Sequence, residues 1–228
     1  MRHITFATSD MSISAEKCKN SALKWGCESS TIYGIENISF EFREFNHEIF
    51  SQKRGYGYWL WKPYFIYREL LNMIEGEYLI YTDAGVEFVN DPGLIPCYDY
   101  TLFGNSYTHQ HWCKGDVLNI TADWIERNQI QASAMIFKKC EDSMILVKSW
   151  LMFCQLPGFI DDSPSEINHV EFREHRHDQA ILTTITKGIK YHWWPAMYNG
   201  GAFVYDKGDY KDEYPVIFHH HRKRNNEW

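Results

Sequence analysis

The stretch that decides the fold is GYWLWKPYFIYRELLNMIEGEYLIYTDAG, which runs from Gly57 to Gly85. Apolar side chains recur at helical spacing after Pro63, and Gly76 is a typical helix stop, so the pattern predicts a helix from Pro63 to Ile74. The continuous apolar run Tyr78 to Tyr81 predicts a strand that is buried on both faces. Asp83 follows that strand, at the edge of an open α/β sheet where ligands bind.

The rest of the chain continues the alternation of helices and strands. The first apolar run, His3 to Thr8, predicts a strand that ends in a polar turn. Further predicted elements are a helix from Thr121 to Asn128, a strand from Ile130 to Lys138, helices from Asp142 to Leu156 and Asp178 to Lys187, a strand around Ile189 to Trp193 and a last strand from Val216 to Phe218. The polar stretch Asp161 to Glu174 is expected to be a loop that forms a lid or an acceptor wall. This order predicts an α/β fold with a central mixed, mostly parallel sheet flanked by helices, and residues 1–228 are expected to form a single domain.

The charge balance argues against a nucleic-acid partner. Lysine and arginine total 23 against 30 acidic residues, a formal charge of -7, which would repel a polynucleotide. Aromatic residues make up 17% of the chain, and some of them are expected either to fill the core or to line a sugar-binding cleft.

Cysteine usage and hydropathy bear on the compartment. The six cysteines show no CxxC pair, and we expect them to be reduced and buried. No apolar run is long enough for a membrane helix, and the first residues contain no apolar signal segment. A cytoplasmic protein without a membrane span is therefore predicted.

The triplet Asp83-Ala84-Gly85 is the first candidate site. A carboxylate directly after a buried strand can hold a hard divalent cation, and the small residues after it let a ligand approach the backbone. The alternative is that Asp83 only caps its own turn.

A second candidate site precedes it, between Arg54 and Pro63. Arg54 and Lys62 are interpreted as cations that contact the diphosphate or the sugar, because Lys62 lies near a helix N-terminus, where phosphate is favoured. Tyr58 and Trp59 are placed with them at the same ligand-binding site. The alternative is that these aromatic residues are packed under the sheet.

The run from Gly57 to Gly85 resembles the core of small glycosyltransferases with the GT-A fold, of the kind found in surface-polysaccharide gene clusters and large DNA viruses. The resemblance is clear from Arg54 to Gly85, and elsewhere it covers only the order of elements. It implies a nucleotide-sugar donor, most often a UDP-sugar, with Mn2+ or Mg2+ bound by a DxD motif after the strand. Gly85 stands where the second aspartate of that motif is expected, so the metal needs another protein ligand.

The resemblance implies that a histidine near residue 220 supplies this ligand. Side chains alternate along an extended segment, so His219 and His221 would share a face, and with Asp83 they are the predicted metal ligands. Arg222 is then placed on the diphosphate. The alternative is that the run from His219 to Arg224 is a solvated basic tail or the remnant of an affinity tag.

The remaining candidates also follow from the resemblance. Asp178 is expected to be the base that takes the proton of the acceptor hydroxyl in an inverting enzyme, or to position the substrate in a retaining one, unless it only caps its helix. Gln131 and Ser133 are placed in the donor-sugar pocket. Apart from the resemblance, the predicted end of the first strand places Thr8, Ser9 and Asp10 beside the nucleobase or ribose.

These observations predict a metal-dependent glycosyltransferase that moves a sugar, hexosyl or pentosyl, from a nucleotide diphosphate donor to a hydroxyl of a glycan or glycoconjugate. Asp83 and Asp178 are its expected catalytic residues. One rival is a nucleotidyltransferase, which would need a glycine-rich basic loop after the first strand, where Ala7 to Ser14 is neither. The other rival is a carbohydrate-binding domain without catalysis.

Overall fold

The architecture is taken from a computed structural model, which describes residues 1–121, 127–186, 188–192, 195–198, 202–203 and 214–228. The helices are α1 (Ser12–Lys24), α2 (Phe40–Phe45), α3 (His47–Phe50), α4 (Gly55–Tyr58), α5 (Trp61–Leu71), α6 (His109–Trp112), α7 (Gly115–Leu118), α8 (Glu141–Cys154) and α9 (His177–Ile185). The strands are β1 (Arg2–Phe6), β2 (Ser29–Tyr33), β3 (Tyr78–Thr82), β4 (Val86–Phe88), β5 (Tyr100–Thr101), β6 (Gly104–Thr108), β7 (Asn128–Ile130), β8 (Ala134–Lys138), β9 (Ala196–Tyr198), β10 (Ala202–Phe203) and β11 (Phe218–His220). Short 3-10 turns lie at Ser9–Met11, Ile35–Asn37, Pro92–Leu94, Asn119–Thr121 and Asn225–Glu227.

The central sheet has five strands in the order β2-β1-β3-β8-β5. Strand β1 pairs in parallel with both β2 and β3, whereas β8 runs antiparallel to β3 and to β5. Four of the five strands therefore point the same way, which confirms the predicted mixed, mostly parallel sheet. A four-stranded sheet, β10-β9-β11-β4, and the pair β6-β7 extend this architecture.

The apolar run of β3 is buried on both faces of the sheet, as predicted. Leu79 and Tyr81 belong to one core cluster together with Phe65 of α5, while Ile80 belongs to a second cluster with Phe218 of β11. Alternate side chains of one strand thus pack into two cores. Burial of each such side chain contributes on the order of 2 kcal/mol to the stability of the fold. Strand β3 is fixed between these cores, and so is the point where the chain leaves it.

Most predicted elements are present with shifted ends. The first strand runs Arg2–Phe6 rather than to Thr8, the helix after Pro63 begins at Trp61 and ends at Leu71, and the next long helix runs Glu141–Cys154. The last strand begins at Phe218 and continues to His220, because these residues pair with both β4 and β9. The stretch 161–174 carries no helix or strand, as predicted for a loop.

Three predicted elements differ from the structure or include residues outside the described ranges. The strand predicted from Ile130 to Lys138 was wrong, because a turn at residues 131–133 separates β7 from β8. The strand predicted around Ile189 is absent from residues 189–192, where His192 makes only an isolated bridge with Phe103. Most of the predicted Thr121 to Asn128 helix, together with Lys187 and Trp193, lies outside the described residues.

The described residues also bear on the cysteines and on membrane-spanning helices, and the predicted burial of the cysteines holds for four of the six. Four cysteines are buried there and Cys97 and Cys140 are half-buried, all six with free thiols. No helix among the described segments combines the length and the apolar character needed to cross a bilayer.

Candidate active site

A cavity of about 540 Å³ lies at the carboxyl ends of β1 and β3. Its wall includes most of the residues predicted for the site, which come from distant parts of the chain: Thr8, Arg54, Trp59, Lys62, Asp83, Ala84, Gly85, Gln131, Ser133, Asp178 and Arg222. The wall does not include Ser9, Tyr58, His219 or His221. The strand-end Asp83 is therefore part of a cavity that a ligand can enter.

Lys62 lies at the centre of the cavity floor and is 3% exposed. Its Nζ lies 3.3 Å from Asp83 Oδ1 and 3.0 Å from Asp178 Oδ2. The same ammonium donates to the carbonyl oxygen of Ala132 at 3.0 Å. Burial by itself would lower the pKa of Lys62, but the two carboxylates outweigh it and the pKa is raised. Lys62 therefore holds the two carboxylates by charge, and its predicted contact with a diphosphate or a sugar stays a prediction.

Asp83 is held as a carboxylate. The hydroxyl of the buried Tyr81 donates to Asp83 Oδ1 at 2.6 Å. Burial tends to raise the pKa of Asp83, but Lys62, Tyr81 and His220 lower it below its usual value. The side chain is 31% exposed. An ionised and accessible oxygen can therefore contact a ligand.

Asp178 differs from Asp83 in its environment. It lies in the first turn of α9 and is 4% exposed. Burial raises the pKa of Asp178 to about 6, although the Lys62 ammonium opposes the shift. Two carboxylates on one cation thus have separated pKa values, an arrangement that suits a base close to neutral pH.

Gly85 is required by the approach of the chain after β11. A Cβ on Gly85 would lie 2.8 Å from the Cα of Arg222, and the Gly85 carbonyl accepts from the backbone N–H groups of His221 and Arg222 at 2.9 and 3.1 Å. The place of a second DxD side chain is therefore filled by backbone. The same contact brings Arg222 into the cavity wall.

Among His219, His220 and His221, it is His220 that lines the cavity, and not the two predicted metal ligands on either side of it. His220 lines the cavity and interacts with the charge of Asp83. The rings of His219 and His221 lie together, 5.7 Å apart, and His221 Nε2 is 3.6 Å from Glu87 Oε1. The alternation along the strand was predicted correctly, but its phase places His219 and His221 away from Asp83.

The segment before α5 has an unusual backbone. Tyr56, Tyr58 and Trp59 all have positive φ values, a conformation that non-glycine residues adopt mainly where the surroundings enforce it. Tyr58 is buried and stacks on His177 at 4.9 Å between ring centroids. Tyr58 is therefore a packing residue, as the alternative interpretation of these aromatics held, while Trp59 reaches the cavity wall.

Arg54 lines the cavity but is paired with the loop 161–174. Its guanidinium donates to Asp162 at 3.4 Å and to Glu174. Arg54 therefore fixes this loop against the start of α4 and leaves less of its charge for a phosphate. The loop itself is anchored from behind by the buried Lys114, whose Nζ donates to Asp161 Oδ1 at 2.9 Å.

A second cavity, of about 400 Å³, adjoins the first at the end of β1. Both cavities are lined by Ala7, Thr8 and Tyr56, and only the second is lined by Ser9. Thr8 and Ser9 thus lie where the two cavities meet. The placement agrees with their predicted position at one end of the ligand.

The turn at residues 131–133 connects the floor of the cavity. The Gln131 amide donates to Ser133 Oγ at 2.6 Å, and the Ser133 carbonyl accepts from the backbone N–H of Asp83 at 2.9 Å. The backbone N–H of Ala132 donates to Gln179 Oε1 at 3.2 Å. Gln131 and Ser133 therefore lie in the wall where they were predicted, and this turn ties Asp83 to α9.

Several wall residues were missed from the sequence. They are Lys53, Tyr107, Arg176, Gln179 and His220. Gln179 could have been found, because it follows Asp178 at the start of a helix. Tyr107 carries no local signal, since only the pairing of β6 with β7 brings it to the cavity.

The charge of the cavity wall is opposite to that of the chain. The wall carries six cationic side chains, Lys53, Arg54, Lys62, Arg176, Arg222 and Arg224, and three acidic ones, Asp10, Asp83 and Asp178. Six against three gives a local excess of three positive charges in a chain of net charge -7. Such a cavity favours an anionic ligand.

The donor set suits a divalent cation that is shared with a ligand. Asp83 and His220 are a carboxylate and an imidazole in one cavity wall, and no group of three or more potential protein ligands occurs in the described residues. Mg2+ and similar ions are commonly held by one or two carboxylates with the rest supplied by substrate phosphates, and imidazole suits Mn2+. These residues therefore fit a metal that arrives with a diphosphate, and they do not fit a structural metal site.

Comparison with solved structures bears on the fold. The chain is similar to the apo structure of the WbbM bifunctional glycosyltransferase, with a TM-score of 0.51 and 10% identity over 88% of this chain. It spans 40% of that protein's length. Mouse xyloside xylosyltransferase 1 in its apo form is also similar, with a TM-score of 0.46 and 11% identity over 100% of this chain and 98% of the other. A glycosyltransferase involved in glycosylation of the major capsid of PBCV-1 has a TM-score of 0.38 and 14% identity over 69% and 68% of the two chains.

These comparisons establish a class of fold. The structural similarity to WbbM, together with the mixed five-stranded sheet, confirms the GT-A-like fold that the resemblance implied. No protein-family model matches the sequence, and no curated protein matches it significantly. At 10% identity the similarity defines the fold alone, and the chemistry has to be argued from the site.

Proposed function

We propose that this chain is a glycosyltransferase that moves a sugar from a nucleotide diphosphate donor, most often a UDP-sugar, to a hydroxyl of a glycan or glycoconjugate. The whole chain is proposed to act as one catalytic domain. The observation that carries this proposal is the ammonium of Lys62, which holds Asp83 and Asp178 together at the floor of one cavity. This arrangement gives one carboxylate for the donor side and another for the acceptor side.

The cationic wall supports an anionic leaving group. During transfer the bond between the anomeric carbon and the phosphate oxygen breaks, and the electron pair stays on the departing diphosphate. Arg222, which the backbone of Gly85 holds in the wall, and the exposed Lys53 are the cations best placed to stabilise that charge. Arg54 and Lys62 act through the geometry of the site, because their charges are engaged by carboxylates.

Asp178 is the proposed base. The acceptor hydroxyl attacks the anomeric carbon and gives its proton to the Asp178 carboxylate, whose pKa of about 6 keeps it mostly ionised at pH 7. Lys62 stays protonated and orients that carboxylate. If the enzyme retains configuration, the same carboxylate positions the acceptor instead.

Asp83 and His220 are the proposed ligands for Mn2+ or Mg2+ in place of the predicted His219 and His221. A divalent cation bound there supplies charge neutralisation for the diphosphate. Tyr81 and Lys62 hold one oxygen of Asp83, and the carboxylate remains partly exposed for a ligand.

The second cavity is proposed to take the nucleoside. It opens from the first beside Thr8, and it carries the side chains of Ser9, Glu36 and Tyr33. Hydroxyl and carboxylate groups of this kind accept hydrogen bonds from ribose hydroxyls and base N–H groups. The donor would then extend from its nucleoside in the second cavity into the first cavity, toward an acceptor beside Asp178.

Titration calorimetry of UDP with and without Mn2+ tests the proposal. Metal-dependent UDP binding by the wild-type chain, lost in an Asp83→Asn variant that unfolding curves show to be folded, is the expected result. Asp116→Asn removes an exposed carboxylate elsewhere and serves as the matched control. Glycan binding without any UDP binding would instead favour the carbohydrate-binding alternative. UDP release against a panel of nucleotide sugars then identifies the donor.

A further inference from the structure

Two exposed tyrosines line the main cavity. Tyr56 is 45% exposed and also lines the second cavity, whereas Tyr107 is 39% exposed and lines only the first. The other aromatic residues of the wall are buried or half-buried; they are Phe6, Trp59 and Trp61. Tyr107 therefore offers a ring to a ligand in the part of the wall that the second cavity does not share.

The ring of Tyr107 is part of a fixed platform. The centroids of Tyr107 and Trp112 lie 5.1 Å apart. The guanidinium carbon of Arg176 lies 4.3 Å from the Trp112 ring centroid and 5.6 Å from that of Tyr107. The backbone N–H of Arg176 donates to the Trp112 carbonyl at 3.0 Å, and its guanidinium lies 3.3 Å from Glu174 Oε2. Two rings and a guanidinium are thus held in place before any ligand arrives.

We propose that Tyr107, Trp112 and Arg176 form an acceptor subsite that binds the pyranose ring of a neutral glycan. An aromatic ring packs against the apolar C–H face of a pyranose, and guanidinium N–H groups donate to its hydroxyls. Glu174, which Arg176 shares with Arg54, places a carboxylate beside the platform, and this carboxylate disfavours an anionic sugar. The assignment of this sugar to the acceptor rests on the function proposed above, whereas sugar binding by the platform does not.

The position of the platform favours the acceptor over the donor. Arg176 precedes the proposed base Asp178 by two residues, and both line the same cavity. The second cavity includes Ile32 and Tyr33 of β2, at one edge of the central sheet, whereas Tyr107 lies on β6, which pairs with β7 outside that sheet, and does not line the second cavity. A ligand on Tyr107 therefore lies beside Arg176 and not in the cavity proposed for the nucleoside.

Saturation-transfer NMR on the whole chain tests the subsite, with methyl β-D-galactopyranoside, methyl β-D-glucopyranoside and methyl α-D-mannopyranoside as probes, and with methyl β-D-glucuronide as the anionic comparison. Each probe is titrated with and without UDP. We expect at least one neutral glycoside to bind, and Tyr107→Ala to weaken it about tenfold, the effect of losing one aromatic contact. Tyr107→Phe keeps the ring and should keep most of the affinity.

Two further variants separate the platform from general effects. Phe45→Ala removes a surface ring that is 79% exposed on α2 and should leave glycoside binding unchanged. Tyr56→Ala is expected to weaken UDP and not the glycoside, because Tyr56 also lines the second cavity. Unfolding curves show whether each variant is folded.

Unchanged glycoside affinity in Tyr107→Ala, binding of the glucuronide alone, or no binding of any neutral probe to the wild-type chain would each overturn the subsite. Glycoside binding that depends on Tyr107 in a chain that binds no UDP or nucleotide sugar would leave the subsite in place and remove the transferase function. Metal-dependent UDP binding without any effect of Tyr107→Ala on glycoside binding would leave the transferase function in place and remove the subsite.

Discussion

Gly85 stands at the position where the resemblance led us to expect a second aspartate. The backbone N–H groups of His221 and Arg222 donate to the Gly85 carbonyl, and this backbone occupies the space where a side chain would lie. The same contact brings His220 and Arg222 to the cavity wall.

Gly85→Asp is therefore expected to damage the site rather than to restore a metal ligand. Its Cβ would overlap the Arg222 backbone, which cannot rotate away, and overpacking of this kind destabilises by about 1–3 kcal/mol. Denaturant unfolding and UDP calorimetry measure both effects. The control is Gly93→Ala, whose Cβ would meet only the Asp91 carboxylate. Tighter Mn2+ binding with unchanged stability in Gly85→Asp would contradict this account.

The pH dependence of turnover is predicted from Asp178. A base has to be ionised, and burial raises the pKa of Asp178 to about 6, so the rate should fall as the pH drops through about 6. A plot of kcat against pH with saturating donor checks this. Asp178→Asn should lower kcat by roughly 10²–10⁴-fold while UDP binding persists. An acid limb near pH 4, the range of an ordinary carboxyl group, would show that another group is the base.

At the scale of elements, Lys62 joins three of them. It lies in α5, forms ion pairs with Asp83 after β3 and with Asp178 in α9, and donates to the Ala132 carbonyl. Lys62→Met would leave two carboxylates near each other without their cation, and removing one partner of a buried ion pair typically costs about 3–5 kcal/mol.

Chemical unfolding of Lys62→Met and of the double variant with Asp178→Asn measures this coupling. The double variant should recover part of the lost stability, because one buried charge is then gone. Lys138→Met is the control, since its ion pair with Asp99 at 3.7 Å is exposed and contributes no more than about 1 kcal/mol. Equal stability of wild type and Lys62→Met would refute the role of this ion pair.

Elements with a local cause were predictable from the sequence. The apolar run of β3 and the helical spacing of α5 determine their own structure, and Asp83 follows from the strand's end. The break at residues 131–133 could not be foreseen, because it depends on residues distant in sequence. The backbone N–H of Asp83 donates to the Ser133 carbonyl, and Gln179 Oε1 accepts from the backbone N–H of Ala132. Periodicity describes a segment, whereas the turn is fixed by neighbours remote in sequence.

The histidine run shows the same limit at a single strand. Alternation predicts that His219 and His221 share a face, and they do. Which face meets Asp83 depends on how β11 pairs with β4 and β9, with His220 opposite Val86, and no local pattern contains that register. The sequence therefore predicted the alternation but not which histidine of the run lines the cavity.

At the scale of the whole molecule, the charge distribution matters more than the total. A chain of net charge -7 places six cations around one cavity, so an anionic ligand is attracted locally although the overall field opposes it. Added salt screens exposed charges, and association with UDP should therefore weaken as ionic strength rises.

The segment after β11 is held to the first helix by contacts that span more than 200 residues of sequence. The Asn225 amide donates to the Ser9 carbonyl at 2.9 Å and to Ser12 Oγ at 3.0 Å, and Trp228 Nε1 donates to Ser14 Oγ at 3.0 Å. Arg224 pairs with Asp10, and both side chains line the main cavity. These bonds hold Arg224 and the wall beside Thr8 in place.

Deleting residues 223–228 should therefore weaken UDP binding about tenfold while β11 and Gly85 keep their pairing, because several hydrogen bonds of about 1 kcal/mol each order that wall. Calorimetry measures the affinity, and Arg224→Ala is the matched control, since it removes one exposed ion pair and leaves the anchors at Asn225 and Trp228. A deletion that binds UDP as tightly as the full chain would mean that the wall is ordered by the sheet alone. An equal loss in Arg224→Ala would instead assign the effect to one charge and not to the anchored segment.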